Sequence, residues 1–165
     1  MGVKSSGSTA AERNRKRLKL KFAIKQSMRE LSVQLSVLNH QVAAHLDLTD
    51  IDLDCLDFIS REGPLSPSVL ARRTGLHPAT MTGILDRLEQ RGWIARDRDA
   101  SDRRAVVVRA NRTRNAEIMR LYSGMNTSMD RICAGYGEPE LELLANFLRR
   151  TADAGRNATD ALSGD

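Results

Sequence analysis

The sequence predicts a mainly α-helical fold with one small β-hairpin, and three patterns carry that prediction. Apolar residues recur at steps of three and four over most of the chain, the spacing of one face of a helix. Helix stop and start signals crowd between Gly63 and Pro78, which marks two short helices in tandem. A charged, turn-like stretch, "RDRDASDRR" at residues 96–104, separates two segments with strand character.

Residues 1–12 are small and polar and read as a disordered tail. Over residues 13–46, Ile24, Met28, Leu31, Leu35, Leu38 and Val42 alternate steps of four and three, which places them on one stripe of a long helix. That helix has no core of its own and must pack on something else. Thr49 or Asp50 can cap a second helix, and Asp50, Asp52 and Asp54 suit its positive end. Leu53, Leu56 and Ile59 point inward, and Gly63-Pro64 stops it. Ser66 is then an N-cap with Pro67 at the first helical position, and Gly75 ends this short helix around Leu70. After Leu76 and His77 another helix starts at Pro78, buries Met81, Ile84, Leu85 and Leu88, and closes at Gly92. "GWIARDRD" and "RAVVVRAN" form the two arms of a hairpin.

Residues 113–133 read as one long helix on Ile118, Leu121, Met125, Met129 and Ile132. After "GYGEP", Leu141, Leu143, Leu144, Phe147 and Leu148 mark a last helix that fades into a polar tail over residues 156–165. Two short helices joined by a tight turn make a helix-turn-helix, and the hairpin beside them is a wing. The organisation expected is a winged helix-turn-helix at residues 47–111, between a long helix at 13–46 and C-terminal helices at 112–155.

The chain's 165 residues suit one domain with a real core, and 41% apolar with 28% charged residues suit a soluble globular protein. No run approaches the roughly 18 apolar residues of a membrane span, and no apolar run follows the early basic residues as in a secretory signal. A cytoplasmic protein is expected. The net charge of +5 is unevenly spread. Residues 1–25 carry eight Lys or Arg against Glu12, and residues 61–114 carry twelve Arg against six acids. Two basic blocks suit an anionic polymer, because neutralising phosphates releases counterions. Lysine is absent after Lys25. Arginine's planar fork suits phosphate and guanine edges, although a GC-biased genome produces the same preference.

The region from about residue 46 to residue 111 resembles the MarR family of winged helix-turn-helix regulators. The resemblance is carried by "REGPLSPSVLARRTGLHPATMTGILDRLEQRGWIARDRDASDRRAVVVRAN". Its specific parts are the Thr-x-Thr of Thr80 and Thr82, the "DRLEQRGWI" close and the "DRR" of the wing; the flanking helices match in length and pattern only. The resemblance implies a homodimer whose N- and C-terminal dimerisation helices interlock, presenting two recognition helices to a pseudo-palindromic duplex. It also implies a small-molecule pocket between the dimerisation and DNA-binding parts, often for aromatic acids or phenols, whose filling commonly releases a repressor from DNA.

Stepping around the helix after Pro78, Ala79, Thr82, Gly83, Asp86 and Arg87 fall opposite or beside its buried face, with Thr80 at the margin. Ala79 and Thr82 can touch thymine methyls, and Thr80 and Arg87 suit phosphates. Arg87 could instead pair with an acid of its own helix. Gly83 costs about 1 kcal/mol against alanine in mid-helix, and it lets a DNA backbone or base edge approach closely; the bland alternative is a tolerated glycine. His77 can cap its helix or face a phosphate, and Ser66 caps the preceding helix and can lie near the DNA backbone. Arg72 and Arg73 lie late in that helix, where one aids its C-terminus and either can reach phosphate.

A hairpin tip beside a recognition helix lies near the adjacent minor groove, whose narrow A·T segments attract arginine. By resemblance, Arg104 is the inserted side chain and Asp102 orients it, with Arg98 and Arg103 on phosphates. A merely solvated hairpin is the alternative. The basic run "RNRKRLKLK" is either an arm along DNA or a solvated helix start.

Other chemistries find little support. Cys55 sits among core positions and reads as buried and inert, while Cys133 ends an apolar helix. His40 and His45 are five apart, poor spacing for one ion, though they could line a ligand pocket. No cofactor or metal is expected. Nor is an enzyme, since no phosphate-cradling loop, metal triad or nucleophile with a base is present. The competing classes are a sequence-nonspecific architectural DNA binder and a winged-helix module for protein contacts.

Overall fold

The computed structural model describes residues 10–98 and 105–163. Its elements are α1 (Ala10–His45), α2 (Asp50–Glu62), α3 (Pro67–Thr74), α4 (Pro78–Gln90), β1 (Ile94–Arg98), β2 (Val106–Ala110), α5 (Arg112–Leu121), α6 (Ser123–Cys133) and α7 (Glu138–Ser163). This is the mainly α fold with one antiparallel hairpin that the sequence predicts.

Local chemistry sets the central boundaries. Thr49 and Asp52 form a reciprocal capping box at the start of α2: the Thr49 hydroxyl accepts from the Asp52 N–H at 3.2 Å, and the Asp52 carboxylate accepts from the Thr49 N–H at 3.0 Å. Ser66 caps α3 by accepting from the Val69 N–H at 3.3 Å, with Pro67 at the first helical position. Gly75 turns the chain out of α3 at φ 69°, a left-handed conformation that a Cβ would penalise. The next turn ends at His77, whose Nδ1 accepts from the Ala79 N–H at 3.3 Å and caps α4.

The core gathers Leu53, Leu56 and Ile59 of α2, Leu70 of α3, and Met81, Ile84, Leu85 and Leu88 of α4 against Trp93, Ile94 and Val108 of the wing side. Val42 and Ala43 of α1 and Ile118 of α5 close its two ends. Cys55 is fully buried among them, and burial first, then the charges of Asp52 and Asp54, push its thiol up to about 12. In the wing, Ile94 faces Ala110 and Arg98 faces Val106. Leu65 exchanges two backbone hydrogen bonds with Val108, at 3.2 and 2.7 Å, and so adds a one-residue edge to the hairpin.

Three boundaries differ from the sequence reading. Helix α1 begins at Ala10, inside the stretch read as a tail. The expected single helix over 113–133 is broken at Tyr122, where Ser123 and Gly124 follow and the Ser123 hydroxyl donates to the Arg120 carbonyl; such competition with the backbone favours a bend. Helix α7 runs on to Ser163 through the expected polar tail, because Ala152, Ala154, Ala158 and Ala161 are strong helix formers despite their polar neighbours.

The terminal helices keep apolar surface in solvent. Phe22, Ile24, Leu31 and Leu35 of α1, Met129 and Ile132 of α6, and Leu143, Leu144, Phe147 and Leu148 of α7 are all exposed. Among the described residues, the stripe read from the sequence packs on the core only toward its C-terminal end, at Leu38 and Val42. Among the described residues, no helix is long and apolar enough to cross a membrane.

Candidate nucleic-acid interface

Helix α4 divides cleanly by exposure. Met81, Ile84, Leu85 and Leu88 are buried, whereas Ala79, Thr80, Thr82 and Gly83 face solvent. The Thr82 hydroxyl donates to the Pro78 carbonyl at 3.0 Å, so toward an approaching base it offers a methyl group and an acceptor. A Cβ built on Gly83 meets nothing within 4 Å. Among the described residues, no packing accounts for this glycine. Gly83→Ala is therefore expected to raise stability by about 0.5–1 kcal/mol. If a duplex lies against the same surface, the substitution lowers DNA affinity at the same time. Thermal unfolding and a binding titration of one preparation check the two effects, and a gain in both would remove Gly83 from the interface.

The flanking residues divide into free and engaged groups. Arg72 is exposed with no ion pair among the described residues, while Arg73 is held by Glu62 of α2 at 3.1 Å. Ser66 and His77 are occupied as caps, with the Ser66 hydroxyl also 3.1 Å from that of Ser68. Arg98 is exposed at the end of β1 and has no ion-pair partner among the described residues. Asp102, Arg103 and Arg104, expected at the wing tip, lie outside the described residues.

Arg87 departs from expectation. Its guanidinium is turned onto Asp52 of α2, with Nη2 donating to the carboxylate at 2.5 Å, rather than standing free for phosphate or pairing along its own helix. Asp52 is only 1% exposed. Burial pushes its carboxyl up, but the hydrogen bonds from Arg87 and Thr49 and the guanidinium charge outweigh that and hold it below 3.8. Arg87 thus ties the recognition helix to the start of α2.

Two further links are not evident from residue spacing. Arg96 of β1 reaches back to α4 and pairs with Asp86 at 2.7 Å and Glu89 at 2.9 Å, so that two ion pairs join the wing to α4. Arg114 of α5 lies 4.0 Å above the Trp93 ring and pairs with Glu117 at 2.8 Å. Asn111 caps α5 through the Thr113 N–H, and its amide donates to the Gly92 carbonyl. A polar residue ahead of a helical pattern is the usual signal of such a cap. The contacts of Arg96 with α4 and of Arg114 with the Trp93 ring have no comparable local sign.

A cleft of about 400 Å³ opens between α1, α2 and α5. His40 and His45 do not line it: His40 pairs with Asp50 at 3.1 Å, and His45 Nδ1 lies 2.9 Å from the Gln41 carbonyl oxygen. Among the described residues, no group of three or more His, Cys, Asp or Glu could hold a metal ion.

A helix-turn-helix whose second helix bares its outer face beside a two-stranded wing defines a winged-helix DNA-binding transcription regulator. Comparison with known proteins narrows the class. The MarR family model matches residues 46–105. YcgE of Bacillus subtilis strain 168, an uncharacterised HTH-type transcriptional regulator, is 36% identical over 129 residues, covering 78% of this chain and 83% of its own. The HTH-type transcriptional repressor MdtR of the same organism is 27% identical over 107 residues, 65% of this chain and 69% of its own. Among solved structures, the transcriptional regulator Tm0710 from Thermotoga maritima superposes with a TM-score of 0.60 at 25% identity, over 83% of this chain and 97% of its own. The chain belongs to the MarR family.

Proposed function

We propose that this regulator acts in the cytoplasm as a homodimeric repressor, holding a pseudo-palindromic operator and released by a small molecule. The observation that carries the reading is the bare outer face of α4, where Ala79, Thr80, Thr82 and Gly83 are exposed while Met81, Ile84, Leu85 and Leu88 are buried. Ala79 and Thr82 would meet thymine methyls, and Thr80, Arg72, Arg98 and Arg103 would meet phosphates. Ser66 and His77 would add backbone contacts from their cap positions, and Arg73 would do so on leaving Glu62. Arg104, oriented by Asp102, would enter the minor groove.

Exposed apolar side chains on α1, α6 and α7 support a second copy as their cover. The name of MdtR supports repression, and the cleft among α1, α2 and α5 supports a ligand that couples the terminal helices to the reading head. The basic start of α1, with Arg15, Lys16, Arg17, Lys19, Lys21 and Lys25 all exposed, favours a second reading as a sequence-nonspecific architectural binder.

The test is titration onto the duplex upstream of the protein's own gene and onto a scrambled duplex, across salt concentrations and with Arg104→Ala. A sequence-reading repressor binds the first duplex about a thousandfold more tightly, shows a steep salt slope and loses affinity in the variant. Equal affinity for both would favour the architectural reading. Failure to bind either would move a protein-contact module to first place.

A further inference from the structure

The cleft between α1, α2 and α5 has a definite chemical character. Its floor is apolar, with Leu53 and Ile118, and its wall carries Tyr122, whose hydroxyl donates to Asn39 at 2.7 Å and fixes the ring. The charged groups lining it come from α2: Asp54, Asp57 and Arg61. Arg61 is spent on Asp57 at 3.0 Å, whereas Asp54 has no hydrogen-bond or ion-pair partner among the described residues. The lining therefore carries one uncompensated negative charge beside an aromatic face and an apolar floor.

We propose that the cleft takes an organic cation, an ammonium group on an aromatic or aliphatic body, rather than the aromatic acid or phenol that family resemblance suggests. This deepens the effector reading above and rests on it. The ammonium would pair with Asp54 and lie against the Tyr122 ring, while its apolar body covers Leu53 and Ile118. A carboxylate in the same place would meet Asp54 with like charge, and the Arg61 charge is already offset by Asp57. The neighbouring carboxylates add to the effect of burial at two titrating groups. Asp54 is raised by burial and then by Asp50 and Asp57, and Tyr122 by burial and then by Asp57 and Asp54.

Three probes with one body and different heads test the proposal: phenethylammonium, phenethyl alcohol and phenylacetate. Each is titrated into the full-length protein while amide chemical shifts are followed at residues 53–61 and 115–122. Phenethylammonium is expected to bind about tenfold more tightly than the alcohol, the combined scale of a part-exposed ion pair and a cation–π contact. Phenylacetate is expected to give no saturable shift. In Asp54→Asn the cation should fall to the level of the alcohol, with alcohol binding and DNA binding unchanged. Phenylacetate binding as tightly as the cation, a preference that survives Asp54→Asn, or no binding by any probe would overturn the proposal. Operator affinity at saturating cation separates the two readings: a cation that fills the cleft without weakening DNA binding leaves the ligand class standing and sinks the effector role.

Discussion

Arg87→Ala is expected to destabilise the fold by roughly 2–3 kcal/mol and to weaken DNA binding, although the side chain is spent inside the protein rather than on a phosphate. Truncating one partner of a fully buried ion pair costs about 3–5 kcal/mol, and the lower figure here reflects a guanidinium still 40% exposed. The cost arises at Asp52, which would keep its charge in a nearly dry site with only Thr49 to satisfy it among the described residues. Equilibrium urea unfolding checks the value. Arg87 Nε is itself buried without a hydrogen-bond partner among the described residues, so the intact pair already carries a desolvation cost. Asp52→Asn combined with Arg87→Met should therefore recover most of the lost stability.

The same pair predicts a pH dependence. The Asp52 carboxyl is held below its unfolded value near 3.8, so its stabilisation is fully present above about pH 4 and is lost as pH falls through the folded pKa. Asp52→Asn should flatten that part of the acid limb. An unchanged acid limb would mean that the ion pair contributes nothing in solution.

Trp93→Ala should have the largest effect on stability, about 3–5 kcal/mol. Trp93 is the only tryptophan and is 2% exposed. Its carbonyl accepts from the Asn111 N–H and its N–H donates to the Leu88 carbonyl, both at 2.9 Å, so the residue joins the end of α4, the return of the wing and the start of α5. Arg114 covers the outer face of the ring. Removing the indole opens a cavity where three elements meet and frees the wing to shift against α4, so DNA affinity should fall with stability. Circular dichroism follows unfolding in the variant. Arg114→Ala, which keeps the ring and removes its cover, should cost no more than about 1 kcal/mol. Equal losses in the two variants would place the weight on Arg114 instead of the indole.

The central region was legible because its signals are local. Thr49, Ser66 with Pro67, Gly75 and Pro78 each act on backbone groups within a few residues, and all four mark boundaries where expected. The buried face of α4 follows from its period alone. Ala79, Thr82 and Gly83 were recognisable as facing outward for the same reason, with Thr80 read at the margin, whereas Asp86 and Arg87, read beside them, are half-buried in ion pairs. The partners of arginine were not legible. Asp52 and Arg87 are 35 residues apart in sequence, and an arginine with many acids in reach chooses by tertiary approach. The break at Tyr122 had a visible cause in Ser123-Gly124, but an apolar period running across it masked the bend. Alanines extended α7 where polarity had suggested a tail. The cleft brings Asn39, Asp54 and Tyr122 together from three helices, and no sequence interval signals that meeting.

The placement of the core has a consequence for how such a protein can vary. Every buried apolar residue lies between Val42 and Ile118 among the described residues, so the core of the head is drawn from the middle of the chain. The long arms on either side contribute almost nothing to that closure. In the proposed dimer, substitutions that retune how firmly one head would grip its half of a site fall on different residues from those that would set how the heads are joined, and at what spacing. Grip and span are therefore separately adjustable, and a lineage can change its target sequence without rebuilding its assembly.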